Sequence, residues 1–419
     1  MVNKEFPAGY IIPKDAPLQL SGHQPQRLVQ FLLDNDVQVE QTVQAFSFEG
    51  IDFPAGSYIV WMDQPKRGLA NTILESGPDL SGIQGLTFYS PPSVWSNPLL
   101  WGTARWVMPE RLAIQTRPVQ NPDPASGSLE RGRAEAYAYS LTSLNAFQVT
   151  NDLAAQGVAL WRTETAFQDS GRFFPAGTIV IPGEPNLANQ LANQYGMDLS
   201  ALRSAPTNTI PVTPLRVAVS GDSGLTEALK ALGFQYTVLS VANINAGMLA
   251  DFDVFINQNR TWTSINAAGR ASFLDFMLNG GQYIGLLNTG VGFARSAGLT
   301  DAASATGNGN TIVRLSYDPA FALAAGFRQQ DYAFVNTPLW FTSLGTQPLE
   351  VVATLDAGDF VVSGFWPGWP NSGAAGSPVV LRGSYGPGSF TLTGIDATFR
   401  GHPENTFRLI GNAIYEGLR

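Results

Sequence analysis

The sequence predicts an α/β protein: an N-terminal pair of β-α-β-β-α repeats followed by a doubly wound α/β domain. Three observations carry this expectation. A segment of the first half recurs without a gap, Phe53-Pro54-Ala55-Gly56 on Phe174-Pro175-Ala176-Gly177. A Pro/Thr-rich stretch, Pro206 to Pro214, separates the halves. After it, short apolar runs alternate with helical patterns closed by glycine, the grammar of a sheet covered on both faces.

In the first half, Val37-Gln38-Val39 through Ile59 aligns with Val158-Ala159-Leu160 through Val180, and Phe46 falls on Phe167. Pro fixes φ and Gly permits positive φ, so Phe-Pro-Ala-Gly reads as a tight turn feeding a strand. Arg27 to Leu33 has apolar residues at helical spacing, and Phe147 to Leu153 follows it loosely. Val37–Val43 and Ser57–Met62 read as strands, and Gly68–Leu74 and Leu187–Leu191 as closing helices. The expected organisation is residues 1–84 as the first repeat, 85–135 as an aromatic and Pro-rich connector, 136–205 as the second repeat and 215–419 as the terminal domain. Neither repeat carries a shared histidine, paired carboxylates or a phosphate loop, so both read as packing units. Trp95, Trp101 and Trp106 of the connector read as a plug between subdomains, with a ligand platform as the alternative. Asn121 to Ser128 reads as a mobile stretch of turn formers.

In the second half, strands are expected at Leu215–Val219, Tyr236–Leu239, Asp253–Asn257 and Tyr283–Leu287. Helices are expected over Leu225–Leu232 and Ile265–Leu278. In such a sheet chemistry belongs beyond the C-terminal ends of the strands. Asn288-Thr289-Gly290-Val291-Gly292 stands where a nucleophile elbow would form, with Gly290 at its centre and Thr289 as a poor substitute for Ser or Cys. Gly401-His402-Pro403-Glu404 offers a base and its orienter but, lacking a nucleophile, has nothing to activate. Pro403 and Glu404 also suit the first turn of a helix over Thr406–Tyr415. Thr289, Gly290, His402 and Glu404 together are therefore a degenerate site, expected to lie close to one another. Trp366 and Trp369, in the Pro/Gly loop Phe365 to Asn371, are candidate ligand-stacking residues.

Composition sets outer limits. The net charge is -9 with 24 Lys+Arg against 33 Asp+Glu, and no basic run occurs, which argues against nucleic acid. There is no cysteine, so disulfides, thiolate metal sites and a cysteine nucleophile are excluded. The two histidines, His23 and His402, are too few and too far apart for a catalytic zinc site. No apolar run is long enough for a membrane span. No cofactor is expected, and the first residues read as a start within a longer protein.

Several motifs resemble a known family. Phe390-Thr391-Leu392-Thr393-Gly394-Ile395-Asp396-Ala397-Thr398-Phe399-Arg400-Gly401, then Leu409-Ile410-Gly411-Asn412-Ala413, is similar to the end of bacterial zinc carboxypeptidases (carboxypeptidase A-type) that carry a class I glutamine amidotransferase-like terminal domain. Val362-Ser363-Gly364-Phe365 resembles the start of one of that domain's strands. Gly9-Tyr10-Ile11-Ile12-Pro13, Pro54 to Val60 and Trp95 to Gly102 resemble the segment that precedes it. The resemblance implies a flavodoxin-like terminal fold and an extracytoplasmic place, secreted or in the cell envelope. It implies a non-catalytic accessory region that positions, stabilises or targets a peptidase domain lying outside this chain. The partner would be that domain or an envelope component. A glycan- or peptide-binding module and an envelope assembly protein are the alternatives. The family's zinc motif, His-x-x-Glu with a later His, is missing: His23 is followed by Gln24-Pro25-Gln26.

Overall fold

The computed structural model describes residues 5–86, 96–130 and 132–418. Trp95 of the connector and residues 1–4 lie outside them. In chain order the first unit comprises β1 (Gly9–Ile12), α1 (His23–Asp34), β2 (Glu40–Thr42), the hairpin β3 (Phe46–Phe48) and β4 (Ile51–Phe53), β5 (Tyr58–Trp61) and α2 (Arg67–Leu74). The connector adds α3 (Asn97–Trp101), β6 (Trp106–Met108) and β7 (Thr116–Pro118). The second unit comprises β8 (Ala136–Tyr139), α4 (Leu144–Ala155), β9 (Trp161–Thr163), the hairpin β10 (Phe167–Asp169) and β11 (Arg172–Phe174), β12 (Ile179–Pro182), α5 (Pro185–Tyr195), β13 (Ser200–Leu202) and β14 (Thr209–Pro211).

Each unit forms a five-stranded sheet, in the orders β6-β1-β5-β2-β7 and β13-β8-β12-β9-β14. The strands are short and buried on both faces, as in Tyr58-Ile59-Val60-Trp61 and Ile179-Val180-Ile181, so apolar side chains run continuously instead of alternating. Gly56 and Gly177 take φ of +88° and +81° in the turns before β5 and β12. Phe46 stacks on Phe53 at 5.1 Å and Phe167 on Phe174 at 4.8 Å, one pair on each hairpin.

Two stretches expected to be free are instead held. The connector supplies both edge strands of the first sheet, β6 beside β1 and β7 beside β2. Asp123, in the stretch expected to be mobile, accepts from Gln41 Nε2 at 2.8 Å and Lys14 Nζ at 3.3 Å. The Pro/Thr-rich stretch contributes β14, whose Thr209, Ile210 and Pro211 pair with β9. Proline is tolerated there because an edge strand leaves one row of N–H groups unused.

The second half opens with β15 (Val217–Ser220), α6 (Ser223–Ala231), β16 (Tyr236–Val238), α7 (Val241–Asn245), β17 (Val254–Asn257), α8 (Ala267–Leu278), β18 (Gln282–Leu286) and α9 (Leu287–Ser296). It continues with β19 (Ala303–Thr306), β20 (Asn310–Tyr317), β21 (Gln330–Asn336), β22 (Leu339–Ser343), β23 (Leu349–Leu355), β24 (Val361–Phe365), β25 (Pro378–Tyr385), β26 (Gly388–Thr393) and α10 (Glu404–Tyr415). β16, β15, β17, β18 and β26 run parallel in that spatial order, and β25, β23, β20 and β21 extend the sheet antiparallel, with β24 beside β20. Val217, Val219, Val254 and Ile256 face α6 and α10. Ala218, Phe255 and Tyr283 face α8 and α9 on the opposite side. The protein is thus a mixed α/β molecule whose largest sheet is covered on both faces.

Candidate functional site

Chemistry in a parallel sheet is expected past the C-terminal ends of the strands, where backbone N–H groups of the following helices point outward. Here that edge carries Ser220 after β15, Asn257 after β17, the β18–α9 turn and the Gly394–Thr398 segment after β26. In the β18–α9 turn Leu287 has the backbone of an elbow: its φ is +56°, between an extended Leu286 and the helix. An L-residue other than Gly pays about 1–2 kcal/mol in this conformation, so the turn is strained.

The elbow centre is therefore Leu287 and not Gly290. Gly290 sits one turn into α9, where a Cβ would lie 2.4 Å from the Asn257 carbonyl oxygen and 2.7 Å from Gly285 Cα. It is glycine because helix and strand touch there, and its carbonyl accepts from the Tyr283 hydroxyl at 2.9 Å. Thr289 is half-buried on α9, and among the described residues no hydrogen bond joins it to His402 or Glu404.

The rest of the edge is closed by amides. Gln258 Nε2 donates to Asp222 Oδ2 at 3.1 Å, and the Asp222 N–H returns a bond to Gln258 Oε1 at 3.0 Å. Asp222 also caps α6 through the Leu225 N–H at 3.0 Å. Asp396 is buried beyond β26, and burial, with a smaller contribution from the Asp222 charge, pushes its carboxyl up to about 7.

His402 and Glu404 face a different place. Trp101 Nε1 donates to the His402 carbonyl at 3.0 Å, and the two rings meet edge-on at 6.0 Å. Glu404 accepts from Arg27 Nη2 at 3.1 Å, and Arg27 lies 4.5 Å over the Trp101 ring. Burial lowers the His402 pKa and raises that of Glu404, which Arg27 partly offsets. Helix α10 begins at Glu404, so Pro403 is its cap residue and not its first helical position. His402 thus contacts the connector, after the Phe399-Arg400-Gly401 turn in which Arg400 takes φ +52°.

That contact forms one wall of a cavity of about 450 Å3 between the first unit, the second unit and α10. Three 12-residue helices, α1, α4 and α10, begin at its rim, so their positive ends converge there. His23 lines it, with Nε2 2.9 Å from the Tyr195 carbonyl and 3.1 Å from Asn145 Nδ2; burial lowers its pKa. A proton on Nε2 serves the Tyr195 carbonyl, whereas a bare Nε2 accepts from Asn145 Nδ2. Sequence reasoning set His23 aside because the zinc spacing was missing. Its neighbours come from α4 and α10, more than a hundred residues away, so no local signal marked this site.

Trp366 does not present a stacking face. It is 1% exposed, wedged beside Gly307 and Gly309 and against Trp340 and Phe360. The two glycines make the room that the sequence of the loop alone does not reveal. Trp369 is half-buried, its indole N–H fixed on Asp79 Oδ2 at 3.0 Å. Among the described residues no group of three His, Asp or Glu could hold a metal ion, and no helix is long and apolar enough to cross a membrane.

No family model and no curated protein matches the chain. Solved structures resemble part of it. A GMP synthase subunit from Thermoplasma acidophilum is 12% identical, with 49% of this chain and 96% of that chain covered and a TM-score of 0.34. A ThuA-like protein from Bacteroides uniformis is 16% identical over 50% of this chain and 94% of its own, with a TM-score of 0.33. A β-galactosidase from Bacillus circulans sp. alkalophilus is 16% identical over 56% of this chain and 34% of its own, with a TM-score of 0.34.

Proposed function

We propose that this chain is the non-catalytic accessory region of a zinc-carboxypeptidase-like protein. It positions, stabilises or targets a peptidase domain outside the chain. In this reading the first half is a duplicated β-α-β-β-α unit, and the second half is a flavodoxin-like, glutamine amidotransferase-like domain that keeps the architecture without the chemistry. The matching strand orders of the two small sheets support the duplication. The parallel order β16-β15-β17-β18-β26, in which the second strand lies outside the first, supports the terminal assignment.

The observation that carries the non-catalytic reading is Leu287. The strained β18–α9 turn at the sheet's C-terminal edge holds a side chain with no nucleophilic atom. Elsewhere, the motif residues shared with the family act as fasteners. Thr406 Oγ1 donates to the Ala397 carbonyl at 2.8 Å, and Asn412 Nδ2 to the carbonyls of Ala325 at 2.8 Å and Leu323 at 3.2 Å.

The test is elemental analysis and peptidase assay of the purified chain, then association with a separately expressed peptidase domain. The expected result is no stoichiometric zinc, no release of C-terminal residues, and a stable complex. One zinc per chain, or C-terminal release by the chain alone, contradicts the reading. The seam cavity favours a second reading, a peptide- or glycan-binding module. Its aromatic and cationic lining, Trp101 with Arg27 and His23, replaces the Trp366–Trp369 loop as the place to look.

A further inference from the structure

A second cavity, of about 360 Å3, opens where the first unit meets the antiparallel part of the large sheet. Three guanidinium groups line it: Arg105 before β6, Arg314 on β20 and Arg328 before β21. No carboxylate belongs to the lining. In a chain of net charge -9 this gathering of cations runs against the overall sign. Like charges gathered around one space favour the entry of an anion.

Asp331 and Asp356, two nearby acids, are engaged elsewhere, and the Glu75 charge acts on Arg105. Asp331 lies against Arg408 and accepts from Asn405 Nδ2 at 3.0 Å, and Asp356 accepts from Gln330 Nε2 at 3.0 Å. Glu75 accepts from Asn71 Nδ2 at 2.8 Å. Among the described residues none of the three arginines has a carboxylate within ion-pair distance. Arg105 is aimed by neutral partners: Nε donates to the Leu74 carbonyl and Nη2 to Ser76 Oγ, both at 2.7 Å. Arg314 Nη1 touches only the Asp359 carbonyl, at 3.3 Å.

A second observation is independent of charge. Thr103 lines the same cavity and is 4% exposed, and its buried hydroxyl has no hydrogen-bond partner among the described residues. A buried donor left unpaired is rare in a folded protein and marks a place for a ligand atom.

We propose that this cavity binds a phosphoryl group, as the free ion or as an ester. Guanidinium forks match phosphate oxygens with paired bonds. Because the three forks rise from separate elements, they suit a tetrahedral group better than a planar carboxylate. Thr103 Oγ1 supplies a neutral donor, and Trp106 offers a flat wall to the body of an ester. This inference stands apart from the accessory-region reading, since it rests on none of the residues used there.

The experiment is titration calorimetry of the full chain with inorganic phosphate, pyrophosphate, a hexose monophosphate and citrate. Saturable one-site binding of a phosphate-bearing probe is expected, weakened at least about tenfold in Arg314→Gln and in Arg328→Gln. Thr103→Val is expected to weaken it about threefold or more. Tighter binding of the hexose monophosphate than of phosphate assigns an ester, and the reverse assigns the free ion. A variant-free check is phenylglyoxal labelling, in which pyrophosphate should protect Arg314 and Arg328 on peptide mapping. The proposal is overturned if no phosphate-bearing probe binds up to about 10 mM, or if citrate alone binds. Folded arginine variants that bind like the parent, or labelling that pyrophosphate leaves unchanged, overturn it equally.

Discussion

Leu287 and Asp396 sit at the same sheet edge and illustrate how single residues define it. Leu287 holds a backbone conformation that reactive residues hold in elbows, and offers only carbon in return. The sequence pattern puts the centre of the turn at Gly290, in Asn288–Gly292, three positions beyond the residue that takes the positive φ. Glycine at 290 answers a packing need, which a one-dimensional pattern cannot separate from a conformational one. Asp396 gives a test of the edge's electrostatics. Its folded-state carboxyl is raised to about 7 from an ordinary 3.8. Between those values the folded chain holds a proton that the unfolded chain has released, so this group's contribution to stability declines as pH rises from about 4 to about 7 and is flat above. Asp396→Asn removes the titration. The difference in melting temperature between variant and parent should therefore shift in the variant's favour from pH 5 to pH 8. An equal difference at both pH values would contradict the assignment.

At the scale of elements, the strands and helices of the first half of each unit and of the parallel sheet were legible. Apolar runs, helical spacing and glycine stops gave α6, α8, β17 and β18 within two residues. Of the antiparallel extension from β20 to β25 only Val362–Phe365 was read as the start of a strand, because these strands pair across long separations that no local pattern announces. The same limit hid the edge strands β7 and β14, which looked like linker. The turns at Gly56 and Gly177 show what a shared motif leaves open. Both need positive φ, but a Cβ on Gly177 would meet Ala325 Cβ at 2.7 Å and the Ala322 carbonyl oxygen at 2.9 Å, whereas one on Gly56 would meet only side-chain ends, Lys14 Cδ at 3.3 Å and Gln41 Nε2 at 3.7 Å. Gly56→Ala should cost about 1–2 kcal/mol from backbone strain alone. Gly177→Ala should cost about 1–3 kcal/mol more, because the contact with the terminal half must open. Chemical denaturation of the two variants gives the comparison, and equal losses would show that the second turn is not wedged against its neighbour.

Across the whole molecule, α10 is the element on which the three parts meet. It packs on α3 of the connector, α4 of the second unit and α6 beside the large sheet. Two buried arginines fasten it. Arg162 reaches from β9 to Glu416 at 3.3 Å and to the Ala322 carbonyl at 2.7 Å. Arg408, 1% exposed, donates to the carbonyls of Gly326, Thr142 at 3.2 Å and Asn405 at 3.1 Å, and lies 3.8 Å from Asp331. Burial brings Arg408 down to about 10, against the opposing pull of Asp331, so it remains charged at neutral pH. A buried pair of this kind adds little over an apolar replacement, since both ions were taken from water. Removing one partner is different. Arg408→Met leaves the Asp331 carboxylate buried with only its bonds from the Tyr332 N–H at 2.9 Å, the Arg328 N–H at 3.2 Å and Asn405. That variant should lose about 3–5 kcal/mol. Arg408→Met with Asp331→Asn removes both charges, so the double variant should lose less than the sum of the singles by about 1–3 kcal/mol, the coupling expected of residues in one network. Guanidinium-chloride unfolding of the parent, both singles and the double measures it. Additive losses would mean that Arg408 acts through its carbonyl contacts alone, and that the ion pair is not what joins α10 to the antiparallel half of the sheet.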